Sequence, residues 1–399
     1  MTRYSMAATV KAMKIQEVIL KAASGAILWI EAADIIGVSY RTMKRWKTRY
    51  EEFGYDGIFD RRMRSPSPKQ APLSEIQNIL QLYRTHYKGF NATHFHEKLK
   101  EHHNVHRGYT FVKTLLQTAG EIDKTRKRDK HRIRRPRKPL PGMMLHLDGS
   151  SHEWIPDQPG VFYDLLVLLD DATNRIYEMR LVDEEDTRQC MVLLRDCVQK
   201  RGIFCTLYSD RAAHFFLTPK AGGKVQEGHF TQIGRALNDL GIRMIPAYSP
   251  QARGRGERMN ETLQGRLPNE FRLHGIKTLE AANRFLKDYF IPDLNKRFAK
   301  PPEQKGSAFV PVPAHLDLDL IFSIQSERTV NQDNTVPYQN RIFQISPSNL
   351  RVSFAKCRIL VHEHLDQSVS ITYGPHLLGY YAPDSISKNS KKQNTLCLV

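Results

Sequence analysis

Apolar residues run along the whole of this chain, but the pattern they make with polar ones changes twice. Up to about residue 120 the sequence is rich in helix formers. Ala32-Ala33-Asp34-Ile35-Ile36, Gly37, then Val38-Ser39 and Thr42 to Lys47 predict helix, glycine turn, helix. In that arrangement Ser39 caps the second helix, Met43 and Trp46 pack inward, and Arg41, Lys44 and Arg45 face outward. A second helical unit is predicted from Asn91 through Phe95 and Leu99, a turn near Val105 to Gly108, and a helix carrying Val112, Leu115 and Leu116. From about residue 143 short apolar runs alternate with helical stretches, the texture of an α/β domain. Strands are predicted over Met143 to Asp148, Val161 to Asp170 and Arg175 to Val182, a helix over Asp186 to Lys200, and a strand over Ile203 to Tyr208. From about 320 to 385, runs such as Thr335 to Tyr338, Arg341 to Ile345 and Cys357 to Val361 predict a small β-barrel.

These elements imply several modules in a chain of 399 residues: 1–65 and 70–122 helical, 123–142 a linker, 143–305 the α/β core, 320–385 the barrel and 386–399 a disordered tail. The linker is set by charge. From Lys124 to Lys138, ten of fifteen residues are Lys or Arg, and prolines follow. Like charges repel, so Lys124, Arg126, Lys127, Arg128, Arg134 and Arg135 are expected to stay extended until phosphates neutralise them. A merely solvated tether is the plainer alternative, as a three-helix bundle with a solvated basic face is for the first helical unit.

The balance of 60 Lys and Arg against 42 Asp and Glu leaves a net charge of +18, which suits a polyanionic partner and makes double-stranded DNA the leading one. No apolar run approaches the roughly 18 residues of a membrane span and the start has no signal pattern, so a cytoplasmic, nucleoid-associated location and no membrane are expected. The five cysteines form no close pair and read as reduced, structural thiols. His94, His96, His102, His103 and His106 cluster in the second unit, yet their spacing matches no zinc pattern.

Three acids carry the candidate chemistry. Asp148 ends the run Met144 to Leu147 beside a permissive turn read at Gly149-Ser150-Ser151, and Asp210 ends Phe204 to Ser209, with 61 residues between them. If those strands are neighbours the two carboxylates converge at one sheet edge, where a few carboxylates with waters and phosphate oxygens serve Mg²⁺ well. The third acid, Glu257, follows Ser249-Pro250-Gln251-Ala252-Arg253-Gly254-Arg255-Gly256. This is read as a glycine-rich basic loop entering a helix, with Glu257 in the first turn and the loop amides, Arg253 and Arg255 approaching DNA phosphates. Glu261, one helical turn on, is the rival ligand. Asp170 and Asp171 read as capping residues of a hairpin turn.

Leu147-Asp148-Gly149-Ser150 with Trp154, Asp170 to Arg175, Tyr208 to Arg211, and Ser249 to Arg255 followed by Glu257, Arg258, Asn260, Thr262 and Leu263 together resemble a bacterial insertion-sequence transposase of the ISNCY group. That group lies in the wider Asp-Asp-Glu class that includes retroviral integrases. The resemblance implies a multidomain α/β protein whose ribonuclease-H-like core has a mixed five-stranded sheet with adjacent first and fourth strands. It further implies two Mg²⁺ ions, with Mn²⁺ as a substitute, held by Asp148, Asp210 and Glu257 for cutting and joining DNA, and a homo-oligomer at least dimeric on two element ends. Two departures stand out. Arg211 replaces the Asn-Gly that commonly follows the aspartate, and the 46 residues between Asp210 and Glu257 are a long interval, its excess placed in a surface loop from Leu217 to Gly228 before a helix at Thr231. A non-catalytic helix-turn-helix regulator and a ribonuclease-H-like nuclease that cuts without joining are the rival functions.

Overall fold

A computed structural model describes residues 6–59, 71–124, 136–218, 223–226, 228–248 and 250–383. Arg126, Lys127, Arg128, Arg134 and Arg135, and the expected tail, lie outside the described residues. Two compact units are distinguished, Met1–Gln81 and Leu82–Val399.

In the first unit, α1 (Met6–Ala23), α2 (Trp29–Ile36) and α3 (Tyr40–Phe53) enclose one core of Ala12, Ile15, Ile19, Ala32, Ala33, Met43 and Ile58. The turn between α2 and α3 forms as the sequence requires. Gly37 takes φ +75°, which favours glycine, and its amide closes back on Ala33 and Asp34. Ser39 Oγ then accepts from the Thr42 amide, capping α3. Helix α4 (Leu73–Thr85) follows.

The second unit opens with α5 (Ala92–His102), capped by Asn91, and α6 (Tyr109–Thr118). Helix α5 is fixed to the α/β core by hydrogen bonds and ion pairs. Glu270 receives His94 Nε2 at 2.6 Å and Lys98 Nζ at 2.7 Å, all three buried, and Arg266 and Arg297 both bond Glu97. His96, His103 and His106 are hydrogen-bonded to Arg107 O, Tyr87 Oη and Asn104 Oδ1.

The core is one five-stranded sheet in the order β3-β2-β1-β4-β5, from β1 (Leu145–His152), β2 (Tyr163–Asp170), β3 (Ile176–Val182), β4 (Thr206–Ser209) and β5 (Arg243–Pro246). The first three strands are antiparallel, and β1-β4-β5 are parallel. This mixed sheet, with the first and fourth strands adjacent, is the arrangement the resemblance implies. Both faces are covered, which is why β2 is an unbroken apolar run. Leu166 and Leu168 pack under α7 (Thr187–Arg201) and α8 (Gln232–Asp239), while Leu165, Val167 and Leu169 pack under α9 (Pro250–Gln264), α10 (Leu267–Leu273), α11 (Leu279–Phe285) and α12 (Ile291–Phe298). Asp186 and Thr231 cap α7 and α8. Asp170 closes the β2–β3 turn onto Thr173, and Asp171 caps the incoming linker at the Lys138 amide, so both acids act structurally. That end of the linker is not free: Arg137 donates to the carbonyls of Asp171 and Ala172.

After the short helix α13 (Leu318–Ile321), β6 (Ile324–Thr329), β9 (Arg358–Glu363), β10 (Val369–Tyr373) and β11 (His376–Tyr381) form an antiparallel sheet in the order β11-β10-β9-β6, with β7 (Thr335–Tyr338) and β8 (Arg341–Gln344) as a separate hairpin. The expected small β-barrel is therefore not closed among the described residues. The hairpin instead covers the shared core with side chains, Val336, Tyr338 and Phe343 packing against Val361, Val369 and Ile371.

Candidate active site

Alternation along β1 decides what its side chains meet. Leu145 and Leu147 enter the core beneath α7, which leaves His146 and Asp148 on the opposite face, toward α9. His146 is buried and bonds Asp171 Oδ1 at 2.8 Å. Parallel pairing of β1 with β4 sets Leu145 against Leu207 and His146 against Tyr208. Asp148 and Asp210 thus each lie two residues beyond the same pair. Asp210 Oδ1 accepts from the Ala212 amide at 3.0 Å, which steadies the carboxylate as the chain leaves β4. Both acids line one cleft with His146, Leu147, Tyr208, Ser209 and Gly256.

The far wall is α9. A β-carbon on Gly256 would stand 2.8 Å from Asp148 Oδ2, so the helix approaches this closely only because that position is glycine. One turn on, Asn260 Nδ2 donates to the same Asp148 oxygen at 2.9 Å, and one turn further Gln264 Nε2 donates to Ser150 Oγ at 3.0 Å. The stripe 256, 260, 264 is the i, i+4 face laid against β1. Glu257 is exposed beside that stripe and is not among the residues lining the cleft; Glu261 is exposed as well.

Three local expectations change. Asp148 does not end its strand, because β1 continues to His152 by pairing with β2, Gly149 opposite Leu166 and His152 opposite Tyr163. Only its pairing with β4 stops short. Gly149 is likewise no turn residue: it is bare because Glu185 Oε2 lies where a side chain would be, 1.9 Å from an added β-carbon. The basic segment before Glu257 is also no loop. Helix begins at Pro250, where a proline costs no hydrogen bond, and runs through Gly254 and Gly256, putting Glu257 in the third turn instead of the first. The side chains of Arg253 and Arg255 lie outside the described residues.

Sequence reading passed over Glu185 and His214, and used Asn260 only as part of a motif. The spacing of Asn260 from Glu257 and Gly256 was the available signal; the meeting of Glu185 and His214 is made by tertiary structure alone. Of the stretch from Leu217 to Gly228, residues 219–222 and 227 lie outside the described residues, while Gly223 O accepts from Arg211 and the Gln226 amide bonds Leu217 O. Arg211 also lies over the Tyr248 ring at 5.1 Å.

In the first unit Arg41, Lys44 and Arg45 are exposed along α3, and Lys124 is exposed at the start of the basic segment. No helix among the described residues is long and apolar enough to cross a membrane.

Residues 16–67 match the family model of a helix-turn-helix domain. Over 366 residues the chain is 28% identical to a putative transposase, y4bF, of Sinorhizobium fredii, covering 91% of this chain and 79% of that protein. The chain is homologous to insertion-sequence transposases. A second relative of this transposase homologue, the transposase for insertion sequence IS1202 of Streptococcus pneumoniae, is 28% identical over 371 residues, 84% of this chain and 78% of the relative. Among solved structures, the homologue is similar to the HTLV-2 integrase catalytic core domain in complex with magnesium, at 14% identity over 38% of this chain and 89% of that one, TM-score 0.28. It is also similar to a chain of the simian T-cell lymphotropic virus intasome in complex with a PP2A regulatory subunit, at 14% identity over 72% and 95%, TM-score 0.31. The strand order β3-β2-β1-β4-β5 and its mixed register define the fold.

Proposed function

We propose that this protein is a DNA transposase that cuts and rejoins DNA at the ends of its element, with Asp148, Asp210 and Glu257 as the metal-holding acids. The observation that carries the reading is the β1–β4 register, which sets Asp148 and Asp210 in one cleft against α9. The donor set suits a hard divalent cation, since the acids bordering the cleft offer carboxylate oxygens and its lining residues include no thiol. When bound, a pair of Mg²⁺ ions, or Mn²⁺ in their place, supplies charge neutralisation for the phosphodiester and makes a water or a 3′-hydroxyl nucleophilic near neutral pH.

The chain's own residues do the positioning. Asp148 and Asp210 present carboxylates from neighbouring strands, Asn260 fixes the rotamer of Asp148, and Glu257, outside the cleft lining on the exposed flank of α9, would turn inward to complete the set. No side chain need act as a covalent nucleophile. Arg41, Lys44 and Arg45 on α3 read the element's terminal repeats, while Lys124, Arg126, Lys127, Arg128, Arg134, Arg135, Arg253 and Arg255 bind phosphate. Two ends must be held together, so at least two copies act on DNA. Incubating the full chain with labelled end DNA tests this: Mg²⁺-dependent nicking followed by joining to a target is expected. Binding without cutting would leave the regulator reading, and cutting without joining the nuclease one.

A further inference from the structure

On the side of β1 opposite Asp148, three side chains of different chemistry converge. Glu185, just before α7, Cys190 in its first turn, and His214, four residues past Asp210, present ligand atoms all within 4.8 Å of one another. His214 Nε2 lies 3.0 Å from Glu185 Oε1, and Cys190 Sγ lies 3.8 Å from that oxygen. Donors bound tetrahedrally to Zn²⁺, at about 2.0–2.1 Å for nitrogen or oxygen and about 2.3 Å for sulfur, stand roughly 3.3–3.6 Å apart. The three atoms therefore need to move by only a few tenths of an ångström at these two contacts.

We propose that Glu185, Cys190 and His214 form a binding site for a thiophilic divalent cation of the Zn²⁺ class, distinct from the Asp148–Asp210 cleft. A thiolate with an imidazole is the set that Zn²⁺ takes and Mg²⁺ does not, whereas the cleft offers hard oxygen donors. Three protein ligands leave the fourth position to water. Cys190 is fully buried, but the Glu185 and His214 side chains are 20% and 16% exposed, so an ion enters from their side. Burial pushes the Cys190 thiol well up, and the negative charges of Glu185, Asp186 and Asp210 push it further. The carboxylate charges that hold the thiol proton also favour a divalent cation in its place, while burial opposes both charges until they pair. On binding, the S–H bond breaks, a sulfur–metal bond forms and the proton leaves to solvent, one per ion, with no change of oxidation state. Glu185 packs on Gly149, next to Asp148, and His214 follows Asp210, so occupancy would stiffen the strands that carry both acids.

Co²⁺ titration of the full chain tests the proposal without any activity assay. One thiolate-bound Co²⁺ per chain is expected, counted by a near-ultraviolet thiolate-to-cobalt absorption, with release of the Cys190 proton and displacement by Zn²⁺. Cys190→Ser should abolish the absorption, His214→Ala and Glu185→Gln should each weaken binding at least about 10-fold, and Cys205→Ser and Cys357→Ser should change nothing. Lack of a thiolate absorption in the unmodified chain at saturating Co²⁺ would overturn the proposal whether or not the variants fold. An absorption that survives Cys190→Ser would overturn it too. Because these readouts need neither Mg²⁺ nor DNA, their failure would leave the transposase reading standing.

Discussion

His146 on β1 pairs in parallel with Tyr208 on β4, and the tilted rings of the two residues lie 5.1 Å apart. The pair is buried, and two residues beyond it on each strand comes an acid, Asp148 on one and Asp210 on the other. An ordered pair behind two acids helps to fix the separation of the strands that carry them.

Asn260 is the hydrogen-bond donor that orients Asp148. Replacing it with Ala should slow strand cutting by about 10-fold or more, as loss of a group that supports a metal ligand commonly does. Folding stability should change by no more than about 1–3 kcal/mol, the range for a hydrogen bond to a charged group. Rate measurements at saturating Mg²⁺ beside urea unfolding separate the two effects. Gly256→Ala should do more damage to cutting, since its β-carbon would stand 2.8 Å from the same oxygen.

Glu270 anchors α5 to the core. Burial raises its pKa, but hydrogen bonds from His94 and Lys98 outweigh that and bring it to about 2. A carboxylate depressed in the folded state adds stability that is present above its unfolded pKa of about 4.5 and is lost as pH falls through about 2. Glu270→Ala strands a buried Lys98 and should cost about 3–5 kcal/mol at neutral pH. In chemical unfolding, the gap between wild type and Glu270→Gln should narrow as pH drops below about 4.5.

His362 also weakens the fold in acid, but in a higher pH window. It is buried between Ser323 and Thr372, and burial together with the neighbouring His364 lowers its pKa to about 4. The folded state keeps it neutral while the unfolded chain takes up a proton below about 6.5, so stability falls as pH drops from 6.5 toward 4. At about 1.4 kcal/mol per unit of displacement, this is a loss on the order of 3 kcal/mol. Comparing wild type with His362→Gln by thermal unfolding across that window should show a flatter profile in the variant.

Lys44 and Arg45 lie exposed on the α3 surface of the helix-turn-helix. If both meet phosphate, each change to Ala should reduce the slope of log affinity against log salt by about 1. Ser39→Ala removes the cap of α3 and should cost about 1 kcal/mol of stability. Fluorescence anisotropy over a salt series measures the first effect and urea unfolding the second.

What the sequence made legible was mostly local. The cap at Ser39 and the turn at Gly37 are set by neighbours a few residues away and form as read, and the helices read as starting at Asn91, Asp186 and Thr231 start there, with those residues as their caps. Strand adjacency was not local and came from a resemblance to known transposases; the register of β1 with β4 then supplied it directly. The glycines were misread because Gly149 and Gly256 look like loop residues, while each is bare to admit a neighbour, Glu185 in one case and Asp148 in the other. Strand count suggested a closed barrel at the C-terminal end, but closure depends on edge pairing between β6 and β11, which alternation cannot reveal.

The central claim is that Asp148 and Asp210 act as one metal-holding pair. It is tested most directly by single-turnover cutting of element-end DNA in Mg²⁺ with Asp148→Asn, Asp210→Asn and the double variant, DNA binding being measured alongside. The account predicts that either single change abolishes cutting while end binding persists, and that the double variant is no worse than each single one. Cutting by Asp148→Asn at a rate near wild type would contradict it.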